Sequence, residues 1–150
     1  MKHVRKSVLL WYSPGEMYDL VTGVPAYPQF LPWCSEATIV AEHADGVTAR
    51  LGLAYLGVRQ DFTTRNTHVA SESVSVKLVD GPFSRLEGIW LFRQLGRAGG
   101  GQRACKIEFD MRYKFASKAL EAAISPVFDR IADTFVESFV KRAESVYGAR

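Results

Sequence analysis

Residues Lys118–Tyr147 read Lys-Ala-Leu-Glu-Ala-Ala-Ile-Ser-Pro-Val-Phe-Asp-Arg-Ile-Ala-Asp-Thr-Phe-Val-Glu-Ser-Phe-Val-Lys-Arg-Ala-Glu-Ser-Val-Tyr, and their spacing decides the fold. Apolar residues return at Leu120, Ile124, Val127/Phe128, Ile131, Phe135, Phe139, Ala143 and Val146. Steps of three and four align them on one side of a helix. Asp129, Arg130, Asp133, Glu137, Lys141, Arg142 and Glu144 take most of the other positions. At about 1.5 Å per residue such a helix would run roughly 45 Å, the width of a small domain. Pro126 lies inside it. In a helix interior it removes the bond to the Ala122 carbonyl and costs about 3 kcal/mol. Either the helix kinks at Pro126 or, the favoured reading, the main helix starts there, with Ser125 as N-cap, Pro126 at its first position and Lys118–Ile124 a separate leading turn.

A helix of this length needs an apolar surface to lie on, and the upstream chain supplies strands. Cys105, Ile107, Phe109, Met111, Tyr113 and Phe115 alternate strictly with Lys106, Glu108, Asp110, Arg112 and Lys114. That pattern gives one buried and one wet face. Further strands are read over Val4–Tyr12, Thr38–His43, Val47–Tyr55, Val58–Val69, Val74–Leu78 and Arg85–Leu95, separated by turn signals such as Ala44-Asp45-Gly46, Leu56-Gly57 and Asp80-Gly81-Pro82. The glycine-rich stretch 96–102 reads as a further hairpin. It lacks the Lys-Ser/Thr ending and the following helix of a phosphate loop. Between the first two strands, Ser13-Pro14 starts a short helix that stops near Gly23. The three prolines of Val24–Cys34 then exclude a regular strand and leave a single helical turn and a bend.

Tight turns imply antiparallel pairing. The predicted fold is thus α+β: a curved antiparallel sheet of about seven strands around one long C-terminal helix, the helix-grip arrangement, with short helices after the first strand. With 150 residues, 47% hydrophobic and 23% charged, the chain is expected to form one globular domain over 1–150. No apolar run approaches the roughly 20 residues of a membrane span, and Val8–Tyr12 is too short for a secretory core, so a cytoplasmic location is expected. Cys34 and Cys105 lack metal or redox spacing and read as packed thiols.

No catalytic or metal site is legible. His3, His43 and His68 fall in separate strands or at a turn, and no helical pair of ligands occurs. The aromatic residues carry more information. Tyr27, Phe30 and Trp33 on the proline-rich segment, Phe62, Trp90, Phe92, Phe109 and Tyr113 on strands, and Phe128, Ile131, Phe135 and Phe139 on the helix are the candidate walls of an apolar cavity. Tyr18, Arg65, Tyr27 and Tyr113 are the candidate polar contacts within it. Lys2, Arg5 and Lys6 form a basic flank suited to RNA or an anionic membrane surface.

Tyr27-Pro-Gln-Phe-Leu-Pro-Trp-Cys34 resembles the signature of the START-like coenzyme Q-binding and polyketide-cyclase-like family. Further resemblance runs through Asp61–Arg65, Asp80–Phe83, Leu86–Phe92, Pro126–Ala132 and Phe139–Ala143, in the family's order and over nearly the whole chain. The resemblance implies a helix-grip fold with an apolar cavity. It also implies non-catalytic binding of a hydrophobic molecule, foremost a polyprenyl quinone such as ubiquinone, in support of respiration or quinone biosynthesis. The family's RatA-like branch implies the alternative, binding to the large ribosomal subunit and hindrance of subunit association. Its cyclases imply a weaker third reading, an aromatase/cyclase with Tyr, Arg or His as acid or base. No cofactor is required under these readings beyond the bound quinone or lipid. The expected partners are a hydrophobic small molecule, the large ribosomal subunit and the periphery of the inner membrane, and not DNA.

Overall fold

The computed structural model describes residues 1–95 and 104–149; the hairpin expected over 96–102 lies outside the described residues. Seven strands, β1 (Lys2–Leu10), β2 (Cys34–His43), β3 (Gly46–Tyr55), β4 (Val58–Val69), β5 (Ser73–Asp80), β6 (Phe83–Gln94) and β7 (Cys105–Phe115), form one sheet in the order β1-β7-β6-β5-β4-β3-β2. Every pairing is antiparallel. Strands β2 to β7 are a meander, and β1 joins beside β7, so the first two strands occupy opposite edges. The chain between them, α1 (Pro14–Thr22) and a 3-10 turn (Val24–Gln29), crosses the width of the sheet.

Local chemistry sets those elements. Ser13 Oγ accepts from the Glu16 amide at 3.1 Å and Glu16 Oε1 accepts from the Ser13 amide at 2.9 Å, closing a capping box at the start of α1. The Tyr27 phenol donates to the Val21 carbonyl and pins the 3-10 turn back onto α1. Gly46, at the β2–β3 turn, could carry no side chain: a Cβ there would sit 1.9 Å from the Asn66 carbonyl oxygen on β4. This close approach fixes where β3 and β4 meet.

The long helix α2 runs unbroken from Lys118 to Tyr147, with Ser117 as N-cap and Pro126 in its interior. This corrects the expected break at Ser125-Pro126. Pro126 and Ala122 are both exposed, so the carbonyl freed by the missing N–H can be satisfied by solvent instead of being stranded in the core. The inner stripe of α2 is Ile124, Val127, Phe128, Ile131, Ala132, Val136, Phe139 and Ala143, all buried. Val146 was expected on the stripe and is exposed, at 49%.

A polar cluster fastens α2 to the β1 edge. Lys2 reaches Asp129 and, at 2.9 Å, Ser125; Ser125 donates to Asp129 at 3.1 Å, and the Tyr113 phenol donates to it at 2.7 Å. Partial burial opposes ionisation of Asp129, but the bonds from Lys2, Tyr113 and Ser125 outweigh it and hold the carboxyl below the usual carboxylate range. A carboxyl depressed in the folded state contributes stability above its unfolded pKa, and that contribution fades as pH falls through the folded value. Urea midpoints measured between about pH 2 and 5 are therefore expected to fall less steeply for Asp129→Asn than for the parent, a difference that solvent screening limits to about 1 kcal/mol.

Candidate functional site

The inner face of the sheet and α2 do not close completely on each other. Between them lies a cavity of about 80 Å³. Strand alternation places its sheet walls and the helical stripe its roof. Tyr27, Trp33, Phe62, Trp90, Phe109, Phe128, Ile131 and Phe135 border it. Four other expected wall residues stand behind these. Phe139 is fully buried between Tyr27, Phe30, Trp90 and Phe135. Phe92 stacks parallel to Trp90, with ring centroids 6.2 Å apart. Tyr113 packs against Phe83 and Phe128, and Phe30 lies under the Arg142 guanidinium at 5.1 Å.

The expected polar contacts are mostly elsewhere. Arg65 lies on the outer face of β4, where it donates to Asp45 at 2.8 Å. Its neighbours Phe62, Thr64 and Asn66 share the inner parity, and Arg65 has the opposite one. Tyr18, on α1, packs edge-on against His68 of β4 and Phe92 of β6. The Tyr113 phenol is committed to Asp129, and that of Tyr27 to Val21. Burial pushes both phenols above their ordinary pKa, with the Asp129 bond reinforcing the shift at Tyr113.

The polar groups that do meet the cavity are Thr64 and Asn66, which the sequence reading passed over. They are 4% and 8% exposed and are the polar members of the core among the described residues. Thr64 Oγ1 donates to Asn66 Oδ1 at 2.8 Å. The signal for them was in the sequence, since Phe62, Thr64 and Asn66 are alternate residues of one strand. His68, next on that face, keeps a buried Nε2 without a hydrogen-bond partner among the described residues, and burial lowers its pKa.

Tyr27 is the single ionisable side chain among the described residues lining the cavity. No acid–base pair is therefore assembled there among the described residues; of the Tyr, Arg and His candidates, Arg65 lies on the outer face and the Tyr113 phenol is turned to Asp129. His3 and His43 bond to Asp110 and Thr48 at 2.7 and 2.8 Å on the outer face. No cluster of three metal-ligating side chains occurs among the described residues. Both cysteines are free and buried, with thiols pushed up to about 11 by burial and hence unreactive at neutral pH.

The basic flank is not a free patch. Lys2 is held by Asp129, Arg5 lies 3.4 Å from Asp110, and Lys6 lies 3.9 Å from Glu137. Lys77 on β5 and Arg112 and Lys114 on β7, all on the outer face, have no ion pair among the described residues. Register sets Lys77 opposite Glu87 and Glu87 opposite Arg112, with Arg85 opposite Lys114. No helix among the described residues is long and apolar enough to cross a membrane.

Comparison with known proteins gives these features a context. The model of the family described as polyketide cyclase / dehydrase and lipid transport matches residues 10–140. The ribosome association toxin RatA of Pseudomonas aeruginosa is 38% identical, over 97% of this chain and 98% of its own. That of Escherichia coli K12 is 39% identical, over 100% and 92%. The mitochondrial coenzyme Q-binding protein COQ10 homolog B of Xenopus laevis is 26% identical, over 95% of this chain and 58% of its own. Among solved structures, an 18 kDa protein of Caulobacter crescentus superposes with a TM-score of 0.74 at 30% identity, covering 99% of this chain and 100% of that one.

Proposed function

Because this chain belongs to the polyketide cyclase / dehydrase and lipid transport family, we propose that it is a non-catalytic binding protein of the RatA type, acting in the cytoplasm on the large ribosomal subunit. The observation that carries this reading is the likeness to two bacterial proteins named for ribosome association, at 38% and 39% identity over nearly the full length of both partners. A cavity without an acid–base pair supports the non-catalytic part.

The electrostatic contact is best assigned to the outer sheet face. Lys2 and Lys6 hold α2 and Arg5 holds β7, whereas Lys77, Arg112 and Lys114 project from the sheet with no ion pair among the described residues. Each phosphate contact contributes roughly 0.7–0.9 to the slope of log affinity against log salt. The triple variant Lys77→Glu/Arg112→Glu/Lys114→Glu is expected to weaken co-sedimentation with large subunits at least tenfold and to flatten its salt dependence by about 2–3 in slope. Unchanged sedimentation across salt would refute this assignment. Reversal of Lys2 is expected instead to lower stability, because it strands Asp129.

A second reading is favoured by the cavity itself: the protein holds an apolar ligand, and a quinone ring is the notable candidate given the likeness to a coenzyme Q-binding protein. At about 80 Å³ the space is smaller than the ~150 Å³ cavity that takes up benzene and far below the ~300–1,000 Å³ of drug-sized sites. A polyprenyl tail would therefore run outside it or displace α2. Native mass spectrometry with organic extraction of the purified protein tests this reading, and an empty protein whose melting temperature ignores added quinone would end it.

A further inference from the structure

Asn66 is placed where an asparagine serves no purpose in packing. It is more than nine-tenths buried, faces the cavity from β4, and opposes an apolar stripe of α2 that includes Ile131 and Phe135. Its Oδ1 accepts from Thr64 at 2.8 Å. A carboxamide also carries two N–H donors, and Nδ2 of Asn66 donates to no described residue. The residue keeps 8% exposure, and an amide donor left open to an empty space is a place where a ligand oxygen can accept. The position is also stiff, since β3 approaches so closely that Gly46 cannot carry a Cβ against the Asn66 carbonyl.

We propose that Asn66 is the recognition point of the cavity, donating from Nδ2 to one acceptor oxygen of a compact, uncharged and otherwise apolar ligand or ligand headgroup, with a carbonyl as the fitting chemistry. The inference rests on the reading of the cavity as a ligand site. An anionic ligand is disfavoured, because the lining residues include no cation. Thr64 is then a positioning residue: by donating to Oδ1 it sets the plane of the carboxamide and turns Nδ2 to the cavity.

The test pairs acetone with isobutene, which has the same shape and lacks the oxygen, both being small enough for a space of about 80 Å³. Titration of 15N-labelled protein is expected to move the Asn66 side-chain amide signals with the ketone, and the ketone is expected to bind about 3- to 10-fold more tightly than the hydrocarbon. In Asn66→Leu the preference is expected to vanish while the hydrocarbon still binds. Equal affinities in the parent protein, or a ketone preference that survives in Asn66→Leu, would overturn the role of Asn66 and leave the ligand site standing. Binding of neither compound would overturn the ligand site and the inference together. The amide signals are read on the parent protein, so the result does not depend on the folding of the variant.

Discussion

Phe139→Ala is expected to lower folding stability by about 3–5 kcal/mol, read as a large fall in the urea midpoint. The side chain is fully buried. It meets Tyr27 and Phe30 of the proline-rich segment at ring-centroid distances of 5.5 and 5.1 Å, Trp90 of β6 at 5.1 Å and Phe135 of α2 at 5.1 Å. These are edge-to-face contacts, each adding roughly 0.5–1.5 kcal/mol beyond burial. Three parts of the fold thus meet on one ring: the segment that crosses the sheet, the sheet itself and the helix. Such a loss is a large share of the roughly 5–15 kcal/mol that stabilises a domain. A cost under about 1 kcal/mol would show that the helix is held chiefly by its ends.

Ala132→Leu is expected to abolish apolar-ligand binding while leaving ribosome co-sedimentation unchanged. Ala132 is 1% exposed and borders the cavity from α2, so three added carbons project into a space of about 80 Å³. Overpacking costs typically 1–3 kcal/mol where no room exists; here part of the addition fills a void, and the fold is expected to survive. Set beside the triple variant of the outer face, this substitution separates the two proposed activities. Loss of ligand alone means the cavity and the outer face act independently. Loss of both means that ribosome binding depends on the state of the cavity, a coupling between two sites. Binding at parental affinity would exclude the cavity as the site.

Most of the fold was legible because it is written in alternation. Cys105–Phe115 announces its buried face residue by residue, and the steps from Leu120 to Ala143 announce the helix. Where the reading failed, the deciding fact was three-dimensional. A proline in a helix carries a local penalty, and only the exposure of Ala122 at the protruding end of α2 shows that water can absorb it. Lys2, Arg5 and Lys6 look like a free basic flank until α2 and β7 bring Asp129, Glu137 and Asp110 against them. Arg65 was assigned inward against its own strand parity, whereas Thr64 and Asn66 were readable from that parity and were hidden behind the more conspicuous Phe62. The volume of the cavity depends on how seventeen side chains and the backbone of Gly88 fit together, and no one-dimensional pattern encodes that.

The pairing of β1 with β7 also governs how the molecule comes into being. Lys2 and Asp129, which lock together at the sheet edge, stand 127 positions apart in the chain. As the polypeptide is synthesised, β1 must wait, unpaired, until β7 and then α2 have been made. Contacts of such long range make folding slow, on the millisecond-to-second scale. A waiting strand with a free edge is open to pairing with a neighbouring nascent chain. Charged side chains such as Lys2, Arg5 and Lys6 are the usual guard of a strand edge against such pairing. Synthesis halted before Lys118 would leave the concave apolar face of the sheet without its cover, and such fragments are expected to be removed as misfolded rather than to persist.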